Sequence, residues 1–215
     1  MNSTNSEWST PNIIKPHFYD KVKIMDVKFI DNMINFINNK INNKNEYKII
    51  DIGCGNGRII YDFLNKLNNN FIYEGIDCNL ELINIAKEEF KDNSNVNFIH
   101  LNVDNINLDF FDSYKDYIFL FESTICMVKD PIRLLEKISK LTNNIILNRT
   151  WIGKDEKKNI YNIPMKWEGM DNYSYNYRFS IKYLLHITNM NLLRDYCIQS
   201  TNDANMFNIY LYKNI

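Results

Sequence analysis

The run Tyr47–Arg58, YKIIDIGCGNGR, constrains the fold of this chain more than any other stretch. Ile49, Ile50 and Ile52 are β-branched residues of the kind that a buried strand takes. Asp51 closes that strand, Gly53, Gly55 and Gly57 follow at every second position, and a helical pattern opens at Arg58. Glycine lacks a Cβ, so it adopts positive φ freely and lets a ligand come close to the backbone. Three such residues between a strand and a helix make a tight α/β loop suited to a nucleoside-type cofactor.

The spacing separates cofactor classes. Dinucleotide-binding loops read G-x-G-x-x-G, their third glycine letting the helix pack close to the strand. Here that third position is Arg58, and the glycine falls one residue early. With Asp51 in front, the pattern D-x-G-x-G-x-G resembles motif I of the class I S-adenosylmethionine (SAM) methyltransferases. The resemblance implies that Asp51, Gly53, Cys54, Gly55 and Arg58 bind SAM, and its product S-adenosylhomocysteine (SAH), with the loop backbone facing the methionine part and the ribose.

The downstream segments extend the match. FIYEGIDCN places Asp77 at the end of a second apolar run, 20 residues after Gly57. A carboxylate there can accept from both ribose hydroxyls. It corresponds to the family's acidic residue after strand two, with Cys78 and Asn79 beside ribose and adenine. A helix follows in LELINIAKEEF, with Leu82, Ile83, Ala86 and Phe90 on one stripe. NVNFIHLNVDNI reads as a third strand and its exit loop. The family often carries an Asp here for the adenine amino group; this chain has Asn102, then Val103, with Asp104 two residues on. An Asn carbonyl can still accept from an amino group, and the contact stays open between Asn102 and Asp104.

DYIFLFES is the fourth strand, ending in Phe121, Glu122 and Ser123, on the side where open α/β sheets bind ligands. In DPIRLLEKISKL, Asp130 can cap a helix, Pro131 suits its first turn, and Leu134, Leu135, Ile138 and Leu141 form the buried stripe. TNNIILNRTW gives a fifth strand ending near Arg149, IKYLLHITNMNLLRDYCIQS a helix, turn and sixth strand, and MFNIYLYKN the last strand. The resemblance covers about residues 44 to 215. It implies an α/β three-layer sandwich: a mostly parallel seven-stranded sheet with an antiparallel C-terminal strand, plus an N-terminal helical cap. The chain of 215 residues, 45% of them apolar, suits one core. It reads as a single methyltransferase domain over 1–215: cap and helix at 1–43, SAM-binding half at 44–150, insertion or pocket wall at 151–180, C-terminal helix and strands at 181–215.

Before the first strand, Val22, Met25, Phe29, Met33, Ile37 and Ile41 recur at helical spacing, widened by Ile30 and Ile34. The proline-broken stretch ahead of that helix carries Trp8, His17, Phe18 and Tyr19, either a lid over SAM and acceptor or a loose terminus. After strand five, a second aromatic segment holds Trp151, Tyr173, Tyr175, Tyr177 and Arg178. Tyr19, Arg149, Trp151, Tyr175 and Arg178 are the acceptor-binding candidates, since an Arg fork suits carboxylate or phosphate.

Charge and composition exclude other classes. Twenty-five basic against 26 acidic residues, net −1, leave no footprint for nucleic acid. No apolar run is long enough for a membrane span and no signal peptide heads the chain. Four scattered cysteines suit a reducing, cytoplasmic setting, and with three scattered histidines they give no metal site.

Methyl transfer to a hydroxyl needs positioning and a base. Glu122 and His17 are the base candidates, while His100 and His186 read as packed residues. An anionic acceptor needs no base. The N/D-P-P-Y/F signature of amino-methylating DNA enzymes is absent, as strand four ends FEST. The chain therefore reads as a small-molecule methyltransferase, on oxygen, its acceptor anionic or a sugar- or nucleotide-linked precursor of a surface polysaccharide, and as a monomer or homodimer. A non-catalytic SAM-binding partner protein and an N-methyltransferase stay open.

Overall fold

A computed structural model describes residues 30–39, 41, 46–155, 157–163, 175–194 and 199–213. Residues 30–39 are helical (α1). Then follow β1 (Glu46–Ile52), α2 (Ile59–Lys66), β2 (Asn70–Asp77), α3 (Leu80–Glu89) and β3 (Val96–His100). Two 3-10 turns lead to β4 (Ile118–Glu122), α4 (Pro131–Leu141) and β5 (Asn144–Gly153). The remainder is β6 (Ile160–Asn162), β7 (Tyr177–Phe179), α5 (Ile181–Thr188), β8 (Asn191–Arg194), β9 (Gln199–Ser200) and β10 (Ala204–Tyr212).

Among the described residues, one ten-stranded sheet takes strands from both halves of the chain, in the order β3-β2-β1-β4-β5-β10-β8. The five strands from β3 to β5 run parallel and β10 runs antiparallel between β5 and β8. These seven are the strands that the sequence signals; β6, β7 and β9 are short additions at the β5–β10 side. The alternation along β1 builds the three layers. Ile49 packs with Ile34 and Ile37 of α1, Ile60 of α2 and Ile83 of α3. Ile50 and Ile52 pack on the opposite face with Leu134 and Leu135 of α4 and Leu184 of α5. Each fully buried isoleucine contributes on the order of 1.5–3 kcal/mol.

Local signals set the helix boundaries. Asn79 caps α3 by accepting from the N–H of Glu81 and Leu82, and Asp130 caps α4 by accepting from Arg133 N, with Pro131 at the first turn. Ser180 caps α5, which ends at Asn189 in the left-handed region (φ 51°). Among the described residues no helix is long and apolar enough to cross a membrane, and no cluster of metal-ligating side chains occurs.

Four expectations need correction. The fifth strand does not end at Arg149 but runs to Gly153, through an irregularity where Asn148 and Arg149 face only Asn208 of β10. Phe121 is fully buried in the α4–α5 core, because its neighbour Glu122 takes the opposite face of β4. His100 is not a packed core residue: it sits exposed at the end of β3, its Nε2 3.0 Å from the Cys78 carbonyl. His186 lies on the exposed side of α5 against the Tyr183 ring.

Candidate active site

The chain runs β1, β2, β3 outward and returns to place β4 on the other side of β1, so β1 and β4 flank a topological switch point. Ligands of open α/β sheets bind beyond the carboxyl ends of such strands. The loop after β1 is pinned by Gly53 N and Cys54 N, which both donate to Ile76 O at 2.7 and 3.1 Å. Gly53 stands at φ 83°, and a Cβ there would lie 2.0 Å from Thr124 Oγ1 in the loop after β4. Glycine is demanded twice over at this position, by conformation and by the approach of the second loop. Gly55 also has positive φ, but a Cβ there would meet only Leu82 Cδ1 at 3.8 Å. The backbone at Gly55 thus faces open space. Arg58 is the cap residue of α2, which starts one residue later than the sequence suggests, and its side chain makes no cap hydrogen bond.

Gly55 N donates to Asp77 Oδ2 (2.9 Å) and Asn79 N to Oδ1 (2.8 Å). The carboxylate is thereby fixed at the tip of β2, and the Cys78 N–H adds a third backbone contact. Burial pushes its carboxyl above the usual value, against the pull of the Asn79 and Gly55 N–H groups. Cys78 lies half-buried beside it. Asn102 accepts from Asp104 N through Oδ1 (3.0 Å), and Val103 opens the short turn that follows. Asp104 accepts from Lys129 N at 2.8 Å.

Asp51 lies beneath this loop and is 1% exposed. Its Oδ2 accepts from Tyr73 OH at 2.7 Å, and its Oδ1 has no hydrogen-bond partner among the described residues. Burial, countered in part by the Tyr73 hydrogen bond and reinforced by Glu122 and Asp77, raises its carboxyl from 3.8 to about 8. Burial beside Asp51 and Asp77 likewise pushes the Cys54 thiol well up, which keeps it neutral and unreactive.

The other wall grows from β4, β5 and β10. Glu122 forms an ion pair with Arg149 and accepts from Asn148 Nδ2 at 3.1 Å. Arg149 stands at φ 49° and its N–H donates to Asn208 Oδ1 at 3.1 Å. Ser123 is also left-handed (φ 58°) and donates its N–H to Asn148 O. Non-glycine residues in that region cost roughly 1–2 kcal/mol each, a strain that tends to collect at functional sites. The bulge also flips side-chain parity: Ile145 and Leu147 share a face before it, and Ile152 returns to that face after it. Asn148 and Asn208 are both fully buried polar residues inside apolar strands. Asn148 also donates to Met33 Sδ (3.2 Å), which places the described start of α1 over the strand ends.

The structure thus brings together Asp51, Gly53, Cys54, Gly55, Asp77, Cys78, Glu122 and Arg149. It draws Arg178 away from the role expected of it. Arg178 is 3% exposed, paired with Asp203 (3.1 Å) and Asn176, and its guanidinium lies 4.8 Å over the Trp151 ring. Its Nε and Nη1 donors are used inside the protein, and Trp151 is its cover. Tyr175 is exposed and stacks on Tyr177 at 5.8 Å, whose hydroxyl donates to Lys129 O (3.0 Å). His17 and Tyr19 lie outside the described residues. Sequence reasoning missed Tyr73, Thr124, Asn148 and Asn208. The two asparagines leave a signal: each interrupts an apolar strand, where a polar side chain is costly unless bonded.

Known proteins agree with this architecture. The model of a family described as "Methyltransferase domain" matches residues 43–168. Malonyl-[acyl-carrier protein] O-methyltransferase 1 of Ilyobacter polytropus is 30% identical over 99 residues, 46% of this chain and 35% of that protein. The chain therefore aligns with about a third of the length of that relative. Among solved structures, the N-terminal domain of EvdMO1 with SAH bound superposes with TM-score 0.69 at 10% identity, covering 91% of this chain and 85% of that one. Magnesium protoporphyrin IX methyltransferase (ChlM) from Synechocystis PCC 6803 with bound SAM gives TM-score 0.57 at 9% identity, covering 89% and 82%. The family match spans more than half of the chain and both loops that meet at Gly53, so this protein belongs to the methyltransferase domain family.

Proposed function

We propose that this protein is a SAM-dependent methyltransferase acting at oxygen on a small, anionic acceptor. The observation that carries the reading is Asp77, held at the tip of β2 by backbone N–H groups beside the open face of Gly55. When bound, SAM supplies a methyl group already activated on sulfonium. Asp77 would grip the ribose hydroxyls. Gly55 would let the methionine part lie on bare backbone, and Asn102 or Asp104 would meet the adenine amino group. Asp51, buried with one oxygen unbonded, would face the cationic end. These residues fit the group: the unbonded Asp51 oxygen suits its ammonium, the Asp77 carboxylate its ribose hydroxyls, and the open side of Gly55 its backbone-hugging chain.

Arg149 would orient the acceptor. Its left-handed backbone turns it toward Glu122 rather than along the strand, and an arginine at such a bulge can share its fork with an incoming carboxylate or phosphate. Such an acceptor brings its own nucleophilic oxygen, so the chain's task is to hold it in line. Positioning of this kind contributes about 7–11 kcal/mol in favourable cases. Glu122, tied to Arg149 and Asn148, serves better as the arginine's holder than as a free base. The O-methyltransferase name of the partly aligned relative supports oxygen as the accepting atom. Three free cysteines among the described residues suit a reducing, cytoplasmic site of action.

The test is label transfer from methyl-labelled SAM to a panel of small carboxylates, phosphates, sugars and amines. Anionic acceptors should be methylated and Arg149→Ala should raise their KM more than it lowers kcat. Labelled amines alone would make it an N-methyltransferase. SAM binding with no transfer to any acceptor would make it a non-catalytic partner protein.

A further inference from the structure

Three carboxylates converge below the glycine loop, and their partners differ. Glu122 has the Arg149 guanidinium. Asp77 has the backbone N–H groups of Gly55, Asn79 and Cys78. Asp51 has one phenol, Tyr73, itself fully buried, and its second oxygen is unbonded among the described residues. The groups that act on it from the surrounding elements are Tyr73 and Asp77 of β2 and Glu122 of β4, and it in turn presses on Cys54 in the loop. None of these is a cation. A carboxylate ion in that position would be buried, half-bonded and repelled by Asp77 and by Glu122, the latter offset in part by its Arg149 partner, which is strongly unfavourable.

We infer that Asp51 is a proton-holding residue of the empty cofactor site and gives its proton to solvent when the ammonium of the cofactor's methionine end docks beside it. The inference rests on the cofactor reading above and adds a pH linkage to it. The ammonium is the missing counter-charge, so docking favours the ionised carboxylate and the O–H bond of Asp51 breaks. Burial holds the empty-site carboxyl at about 8, so the group is protonated at neutral pH before binding. The ligand's own amino group is an α-ammonium beside a carboxylate and is already charged below pH 7. Between pH 6 and 7 the proton therefore leaves from the protein, and affinity rises up to tenfold per pH unit.

The experiment is titration calorimetry of the full chain with SAH at pH 6.5, in phosphate and in imidazole, two buffers of different ionisation enthalpy. Binding by the wild-type protein should release close to one proton, read from the difference in heat between buffers. Asp51→Asn, of the same shape, should bind more weakly and, at saturating SAH, with no such difference, while Tyr73→Phe should keep it. Equal heats in the two buffers, with binding intact, would overturn the proton linkage while leaving the cofactor reading standing. No binding by the wild-type protein in either buffer would overturn both.

Discussion

Two strand ends face each other across the site, and they turn left-handed by opposite means. After β1 the turn is made by glycines, at Gly53 and Gly55. After β4 and within β5 it is made by Ser123 and Arg149, which carry side chains. Glycine gives up side-chain chemistry for a bare surface, as a ligand laid on backbone requires. Ser123 and Arg149 accept strain and in return the chain gains an aimed guanidinium. One wall is therefore built to be lain upon and the other to reach out.

Substitutions should separate the two walls. The largest effect belongs to Gly53→Ala, where positive φ and the contact with Thr124 Oγ1 combine. A loss of roughly 2–4 kcal/mol in urea unfolding is expected, whereas Gly55→Ala, with open space around it, should cost only the backbone strain and fall mainly on cofactor affinity. Equal losses at the two glycines would break the distinction between a packed and an open position.

Asp51 comes next, read through pH. Its folded value, about 8, lies above the ordinary 3.8. The stability it contributes is thus complete below pH 3.8 and is lost as pH rises toward 8. From pH 6 to 8 the wild-type protein should lose up to about 1.4 kcal/mol per unit relative to Asp51→Asn, measured without cofactor by chemical denaturation. Parallel pH profiles for the two proteins would show Asp51 to be ionised throughout.

On the cofactor wall, Asp77→Ala should weaken SAH binding at least tenfold, about 1.4 kcal/mol, with the fold intact by circular dichroism. On the acceptor wall, Asn208→Ala removes the acceptor for Arg149 N and should cost about 1 kcal/mol while leaving SAH affinity unchanged. A drop in SAH affinity with Asn208→Ala would mean that the walls are coupled. The smallest effect is Ser123→Gly, a gain of about 0.5 kcal/mol as left-handed strain is relieved against the entropy that glycine adds to the unfolded chain.

The cofactor wall was legible because its requirements are local. A strand, an acid, glycines at fixed spacing and a second acid after the next strand are all consecutive features, and Gly53, Gly55 and Asp77 fall where the pattern places them. The caps at Asp130 and Asn79 are equally local. The acceptor wall depends on pairings across long sequence separations. The bulge at Arg149 exists because Asn208 of β10 satisfies its N–H, a partner 59 positions away. Arg178 looked available as an anion holder, but Asp203, 25 positions on, claims it. The position of Phe121 at a strand end suggests the ligand side, whereas the alternation of β4 sends it to the core and Glu122 to the site. The proposed lid residues His17 and Tyr19 lie outside the described residues.

A crystal structure of the protein with SAH bears most directly on the central claim. The ribose hydroxyls should sit on the Asp77 carboxylate, with the amino-acid end against Gly55 and its ammonium toward Asp51. SAH bound elsewhere, or no SAH at saturating concentration in crystals that leave the strand ends open, would contradict it.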